Sequence, residues 1–112
     1  MSHTVLIVDD HDGFRRFAKR VLEAGGLTVI GEAATAEQAI VQAQELAPDV
    51  VLLDIKLPDG DGFTVAEQIA APVVLTSSHE LDDLRTRLDR SSARGFIAKD
   101  DLSAKAILEI AR

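Results

Sequence analysis

The chain is predicted to fold as an α/β domain, a doubly wound parallel sheet of five strands with helices on both faces. Three observations carry that expectation. Val50-Val51-Leu52-Leu53-Asp54 is an apolar run ending in a carboxylate, the pattern of a central parallel strand buried on both faces. Thr4-Val5-Leu6-Ile7-Val8 repeats the pattern and ends in Asp9 and Asp10. Between successive apolar runs the hydrophobic period changes to that of a helix. Parallel strands need such crossovers, and the crossovers are right-handed.

Taken in order, Phe14, Phe17, Ala18, Val21 and Leu22 lie on one face of a first helix, with Arg15, Arg16, Lys19, Arg20 and Glu23 opposite. Gly25-Gly26 stops it. Thr28-Val29-Ile30-Gly31-Glu32 is a weaker, more polar strand expected near an edge. Thr35 is placed to cap a second helix, with Gln38 completing a capping box. Ala36, Ala39, Ile40, Ala43, Leu46 and Ala47 form its apolar face, and Pro48-Asp49 breaks it before the central strand. After a loop from Lys56 to Gly62, Phe63, Ala66, Ile69 and Ala70 suit a short third helix. Pro72–Thr76 is a fourth strand, Leu81, Leu84 and Leu88 mark a fourth helix, and Arg94–Ala98 is a fifth strand ending at Lys99. Leu102, Ala106 and Ile107 or Leu108 begin a last helix.

The most apolar strands belong in the middle and the polar second strand at an edge. That fits the strand order 2-1-3-4-5, the flavodoxin-like arrangement, whose switch point lies between strands one and three. Asp9, Asp10 and Asp54 then surround one crevice at the carboxyl edge of the sheet, where open α/β sheets bind ligands.

Composition narrows the function. The 112 residues make one domain, 1–112, with 46% hydrophobic and 28% charged residues. A formal net charge of −7 argues against direct nucleic-acid binding, which depends on neutralising phosphates. Cysteine is absent, so disulfides and thiolate metal sites are excluded, and a cytoplasmic location is expected. No apolar run is long enough to span a bilayer, so no membrane association is expected. Met1-Ser2-His3-Thr4 runs straight into a strand, with no signal-peptide pattern. There is no internal repeat or low-complexity tract.

Clustered carboxylates repel one another, and alone at least one would hold a proton. A divalent cation removes the conflict, and oxygen ligands favour Mg²⁺. Lys99 would bring an ammonium to the same edge and Thr76 a hydroxyl. A carboxylate nucleophile, a metal, an ammonium and a hydroxyl together suit a phosphoryl group, and an aspartate can form an acyl phosphate. Taken singly, Asp9 and Asp10 would cap the first helix. Lys99 would be a surface lysine, Thr76 a packing residue, and His11 a loop residue rather than a metal ligand. It is their conjunction at four strand ends that points to chemistry.

Val8-Asp9-Asp10-His11, Leu53-Asp54-Ile55-Lys56-Leu57-Pro58, Asp61-Gly62 and Gly95-Phe96-Ile97-Ala98-Lys99 resemble the receiver domain of two-component response regulators, over essentially the whole chain and in the same order. The resemblance implies that Asp54 is the phospho-acceptor. It implies that Asp10 and Asp54 ligate Mg²⁺ directly, Asp9 through water, and Lys56 through its backbone carbonyl. Lys99 would pair with phosphoryl oxygens, and Phe96 would be the switch aromatic. Leu75-Thr76-Ser77 points to Thr76 as the switch hydroxyl, while counting back from Lys99 points to Ser77; Thr76 is taken, with Ser77 as the alternative. The implied partners are a sensor histidine kinase and an output domain or partner protein, with self-association on phosphorylation. The Asp-Asp-His pattern and the Lys99-Asp100 step look most like receivers joined to helix-turn-helix DNA-binding domains, and imply a role in transcriptional regulation. The implied protein is a signalling switch that assists its own phosphorylation and dephosphorylation, not an enzyme with a separate substrate.

Three features depart from that pattern. Asp100 follows Lys99 where many receivers have proline, so a cis step is not expected. The stretch from Asp54 to Thr76 is short, which predicts a trimmed third helix or a missing loop. The hydroxyl position is ambiguous by one residue. Two other classes fit less well. A haloacid-dehalogenase-type phosphatase needs an acid/base Asp two residues after its nucleophile, where Lys56 stands. A dinucleotide-binding domain needs a Gly-rich turn after strand one, where Asp9-Asp10-His11-Asp12-Gly13 would repel a pyrophosphate.

Overall fold

The computed structural model describes residues 3–78 and 85–111. Its strands are β1 (Thr4–Val8), β2 (Thr28–Ala33), β3 (Val50–Asp54), the two-residue β4 (Lys56–Leu57) and β5 (Gly60–Asp61), β6 (Val73–Ser77) and β7 (Gly95–Ala98). Its helices are α1 (Asp12–Ala24), α2 (Ala36–Leu46), α3 (Gly62–Glu67), α4 (Arg85–Asp89) and α5 (Ala104–Ala111), with a 3-10 turn at Lys99–Asp101. The main sheet runs β2-β1-β3-β6-β7 and every pair in it is parallel. This is the expected doubly wound order, since β4 and β5 form a separate antiparallel hairpin.

The apolar runs dictate the layering. Every residue of β3 is buried, and alternate side chains enter opposite cores. Val51 and Leu53 join α2 and α3 on one face, through Ala36, Ala39, Phe63, Val65 and Ala66. Val50 and Leu52 join α1 and α5 on the other, through Ala18, Leu22, Ala104 and Ile107. Burying a Leu or Val side chain contributes about 1.5–3 kcal/mol, so shifting β3 by one residue would exchange its two faces and undo both cores. The polar β2 lies at an edge, as expected, and its pairing slips opposite Val5/Leu6.

Several boundaries differ from the sequence reading, each for a physical reason. β6 begins at Val73 because Pro72 has no N–H for the ladder, although its carbonyl still accepts from Val51 N at 2.9 Å. The strand ends at Ser77, which pairs with Ala98 of β7, one residue later than expected. α3 stops at Glu67, while Ile69 stays in the core without being helical. Ala47 leaves α2 as a left-handed cap with φ 46°, because Pro48 cannot continue a helix. Phe17 is exposed rather than buried. Leu102 precedes α5 and packs beside it. Leu81 and Leu84 lie outside the described residues; Leu88 packs against the α2–α3 core. No peptide bond among the described residues is cis, and no described helix is long and apolar enough to cross a membrane.

The hairpin after β3 is anchored from outside. Thr35 Oγ1 accepts from Gln38 N, as its spacing predicts, but Asp59 supplies a second cap across space. Its carboxylate accepts from Ala36 N at 2.7 Å and Glu37 N at 3.1 Å. Those backbone donors hold the Asp59 carboxyl below the usual carboxylate range. A carboxyl with a depressed native pKa stabilises above its unfolded value and loses that contribution as pH falls. Asp59→Ala should therefore lower the melting temperature by a few degrees at neutral pH. The difference should vanish in strong acid, and thermal melts that stay parallel across that range would remove the cap from the account.

Candidate functional site

β1 and β3 are adjacent, and each ends in acid, so their carboxyl ends open one crevice of about 400 Å³. Its lining includes Asp10, Asp54, Lys56, Ser77 and Lys99. Asp54 is 5% exposed and ends the central strand. Its Oδ1 accepts from Lys56 N at 3.4 Å, and its Oδ2 lies 3.5 Å from Lys99 Nζ. Burial, and next the charge of Asp9, push the Asp54 carboxyl up to about 6, against the opposing pull of Lys99. Burial contributes most, and the Asp9 contribution is a carboxylate conflict of the kind expected in this crevice.

Asp9 is fully buried. Its Oδ1 accepts from His11 N at 2.8 Å. Its Oδ2 has Lys99 Nζ at 2.6 Å as a charge partner, but the approach is off the line of a hydrogen bond, and that oxygen makes none. Neither Asp9 nor Asp10 caps α1. His11 is its N-cap residue, without a side-chain hydrogen bond to the helix. The His11 imidazole sits at the acids instead, with Nδ1 at 3.1 Å from both Asp9 Oδ1 and Asp10 Oδ1. One ligand atom from each of Asp9, Asp10, His11 and Asp54 falls within 4.8 Å of the others. The donor set fits a divalent cation: three carboxylates, one buried oxygen without a hydrogen bond, and a carboxyl raised by burial and by the charge of Asp9.

Gly62 explains the motif that follows the central strand. A Cβ there would lie 2.5 Å from the Asp54 carbonyl oxygen and 2.8 Å from Ile55 Cα. Only glycine lets α3 start against the strand end, where Gly62 N donates to Ile55 O at 2.7 Å. Asp61 caps the helix by accepting from Phe63 N at 2.7 Å. Arg87 of α4 binds the same carboxylate and stands 4.4 Å over the Phe63 ring.

Of the two candidate hydroxyls, Ser77 lines the crevice. Thr76 pairs with Asp54 across β3 and β6 but is wholly buried, and its Oγ1 makes no hydrogen bond. The sequence reading took Thr76 on the Leu75-Thr76-Ser77 motif, with Ser77 as the alternative; β6 runs on to Ser77, and of the two it is Ser77 that lines the crevice. Lys56 is exposed at the rim. Phe96 pairs with Leu75 and packs, partly buried, against the α2–α3 core. One neighbour was not singled out from sequence: Phe14, whose ring lies under Lys99 Nζ at 4.4 Å; His11 was read as a loop residue rather than a metal ligand, and its imidazole stands at the acids. Phe14 was read only as a core position, since its helical spacing carries no sign of a cation beside it.

Comparison with known proteins agrees with this geometry. Residues 5–112 match the family described as "Response regulator receiver domain". The chain is 42% identical over 106 residues to a protein-glutamate methylesterase/protein-glutamine glutaminase of Alkalilimnicola ehrlichii, covering 88% of this chain and 27% of that protein. It is 35% identical over 104 residues to the nitrate/nitrite response regulator protein NarL of Escherichia coli K12, covering 87% and 48%. The chain thus spans less than half the length of these relatives. A solved signal receiver domain of the putative response regulator NarL from Mycobacterium tuberculosis superposes with a TM-score of 0.88 at 32% identity, covering 98% of this chain and 96% of that one. The chain belongs to the response regulator receiver domains of two-component systems, modules of phosphorylation-controlled signalling.

Proposed function

We propose that Asp54 accepts a phosphoryl group from a sensor histidine kinase, with Mg²⁺ bound beside it, and that residues 1–112 act as one such switch. The observation that carries this reading is the burial of Asp54 at the end of the central strand, with Lys99 Nζ 3.5 Å from its Oδ2. An Asp54 carboxylate oxygen bonds to phosphorus as the bond from phosphorus to the donor breaks. Lys99 Nζ meets the growing charge on a phosphoryl oxygen. Asp9, Asp10, Asp54 and the Lys56 carbonyl would hold the cation. When bound, Mg²⁺ supplies positive charge to the carboxylates and the phosphoryl oxygens. Borohydride trapping after incubation with acetyl phosphate and Mg²⁺, followed by peptide mass spectrometry, tests the reading. The label is expected on Asp54; a label on Asp9 or Asp10 would overturn it. Asp10→Ala should weaken Mg²⁺ binding roughly tenfold or more. Calorimetry suits the measurement, since the chain has no Trp or Tyr to report by fluorescence; an unchanged affinity refutes the ligand role.

The output follows from the neighbouring strands. Phosphorylation draws the Ser77 hydroxyl toward a phosphoryl oxygen, and Phe96 turns inward beside Leu75. The face made by α4, β7 and α5 then changes shape for an output domain, a partner protein or a second copy. The Asp-Asp-His pattern and the Lys99-Asp100 step, which resemble receivers joined to DNA-binding domains, suggest a role in transcriptional regulation in the cytoplasm. The chain itself acts as phosphoacceptor, not as an enzyme on a separate substrate. Ser77→Ala should permit phosphorylation yet uncouple it from chemical-shift changes around Phe96. Thr76→Val should leave that coupling intact and be neutral or stabilising by up to about 1 kcal/mol, since it removes a buried hydroxyl that makes no hydrogen bond. The opposite pattern would return the role to Thr76.

A further inference from the structure

Lys99 follows the edge strand β7 on a flexible four-carbon stem. Its ammonium nonetheless sits inside the crevice, with the side chain only 16% exposed. Two of its neighbours are oxygens, Asp9 Oδ2 at 2.6 Å and Asp54 Oδ2 at 3.5 Å. The third is the ring of Phe14, in the first turn of α1, with its centroid 4.4 Å from Nζ. We propose that Phe14 is the positioning residue for Lys99, holding the ammonium over its face and within reach of Asp54.

An aromatic face suits this task better than a polar group would. It attracts a cation through its quadrupole, and more strongly where water is excluded. It adds no further negative charge to a crevice already crowded with carboxylates, and it is not an acceptor that would compete with a phosphoryl oxygen for the ammonium's hydrogens. The ring is itself held in place. Phe14 packs against the α1–α5 core, and the Phe17 ring stands 6.3 Å away at 43°. This gives α1 a role in the site beyond covering the sheet: it carries the surface against which Lys99 rests.

The inference rests on the reading of Asp54 as acceptor, and the test separates the two. Mono-, di- and trifluorophenylalanine placed at position 14 drain the ring face with little change in volume. The initial rate of Asp54 phosphorylation by acetyl phosphate with Mg²⁺ is expected to fall stepwise along this series, by about fivefold in total. Phe14→Tyr should keep the rate, and Phe14→Leu should lose about as much as the trifluoro variant. In a Lys99→Met background the fluorinated series should be flat. A flat series with Lys99 present, or an equal fall without it, would overturn the proposal and leave Phe14 a packing residue. The upfield ring-current shift of the Lys99 ε protons, read by NMR without any phosphodonor, judges the contact alone. It should be present in the wild type and lost in Phe14→Leu; its absence from the wild type overturns the proposal. No label on wild-type Asp54 would sink the acceptor reading and leave the ring-current result standing.

Discussion

Asp54→Asn is expected to reduce phosphorylation by acetyl phosphate with Mg²⁺ to background while the domain stays folded. The amide has the shape of the carboxyl but no anionic oxygen to attack phosphorus, so the acyl phosphate cannot form. Its oxygen can still accept from Lys56 N, which now lies 3.4 Å from Oδ1, and the buried β3 is otherwise unchanged. Asp9→Asn and Asp10→Asn should differ in kind: slower labelling, with the label still on Asp54. Phosphate incorporation and circular dichroism on the same samples check both halves. Undiminished incorporation in a folded Asp54→Asn would mean that another side chain carries the phosphoryl group.

The same substitution should stabilise the domain in the absence of divalent cations, and only above a certain pH. The Asp54 carboxyl has a native value of about 6 against an ordinary 3.8, so the folded state holds its proton longer than the unfolded chain does. Below the unfolded value both states are protonated and there is no penalty. As pH rises from about 4 to about 6 the unfolded state gives up the proton first, and stability falls; above that window the loss is complete. A shift of this size corresponds to about 3 kcal/mol at most, and relaxation and water entry make about 1–2 kcal/mol the better expectation. Asparagine carries no such penalty. The stability of Asp54→Asn minus wild type, from urea unfolding followed by circular dichroism, should therefore be smallest near pH 4 and grow to its full size by pH 7. Taking the difference removes the other acids, including Asp49 and Asp59, whose depressed values act in the opposite direction. A difference that is constant from pH 4 to pH 7 would mean that Asp54 is not held out of its charged state.

A charge strained in this way is useful to a switch. The crevice that disfavours the Asp54 anion is the one that would welcome a cation. Ligand binding to the native state adds stability by mass action, and the part of the penalty that comes from the Asp9 charge is the part a bound cation would relieve. The tethers around the crevice keep that strain local. Gly62 and Asp61 hold the hairpin end against β3, and Asp59 ties the hairpin to α2.

The alternation of buried strands and amphipathic helices determined the architecture from sequence alone, because each apolar run has one low-energy way to hide its faces. β1 and β3 could be read as adjacent and central, and from that followed the meeting of Asp9, Asp10 and Asp54. The short Asp54–Thr76 stretch likewise foretold the six-residue α3. What the sequence left open depends on contacts between residues far apart in the chain, or on one-residue choices that a pattern cannot make. Pairing with β7 carries β6 on to Ser77, which lines the crevice, a one-residue choice that an apolar pattern does not make. Asp59 became a cap for α2 only because the hairpin folds back over Ala36. The meeting of Phe14 with Lys99 required α1 and the end of β7 to share one core, whereas His11 meets Asp9 and Asp10, its own chain neighbours, where β1 turns into α1. A helical period places Phe14 on the buried side of α1, but only packing decides that a lysine shares that space with it.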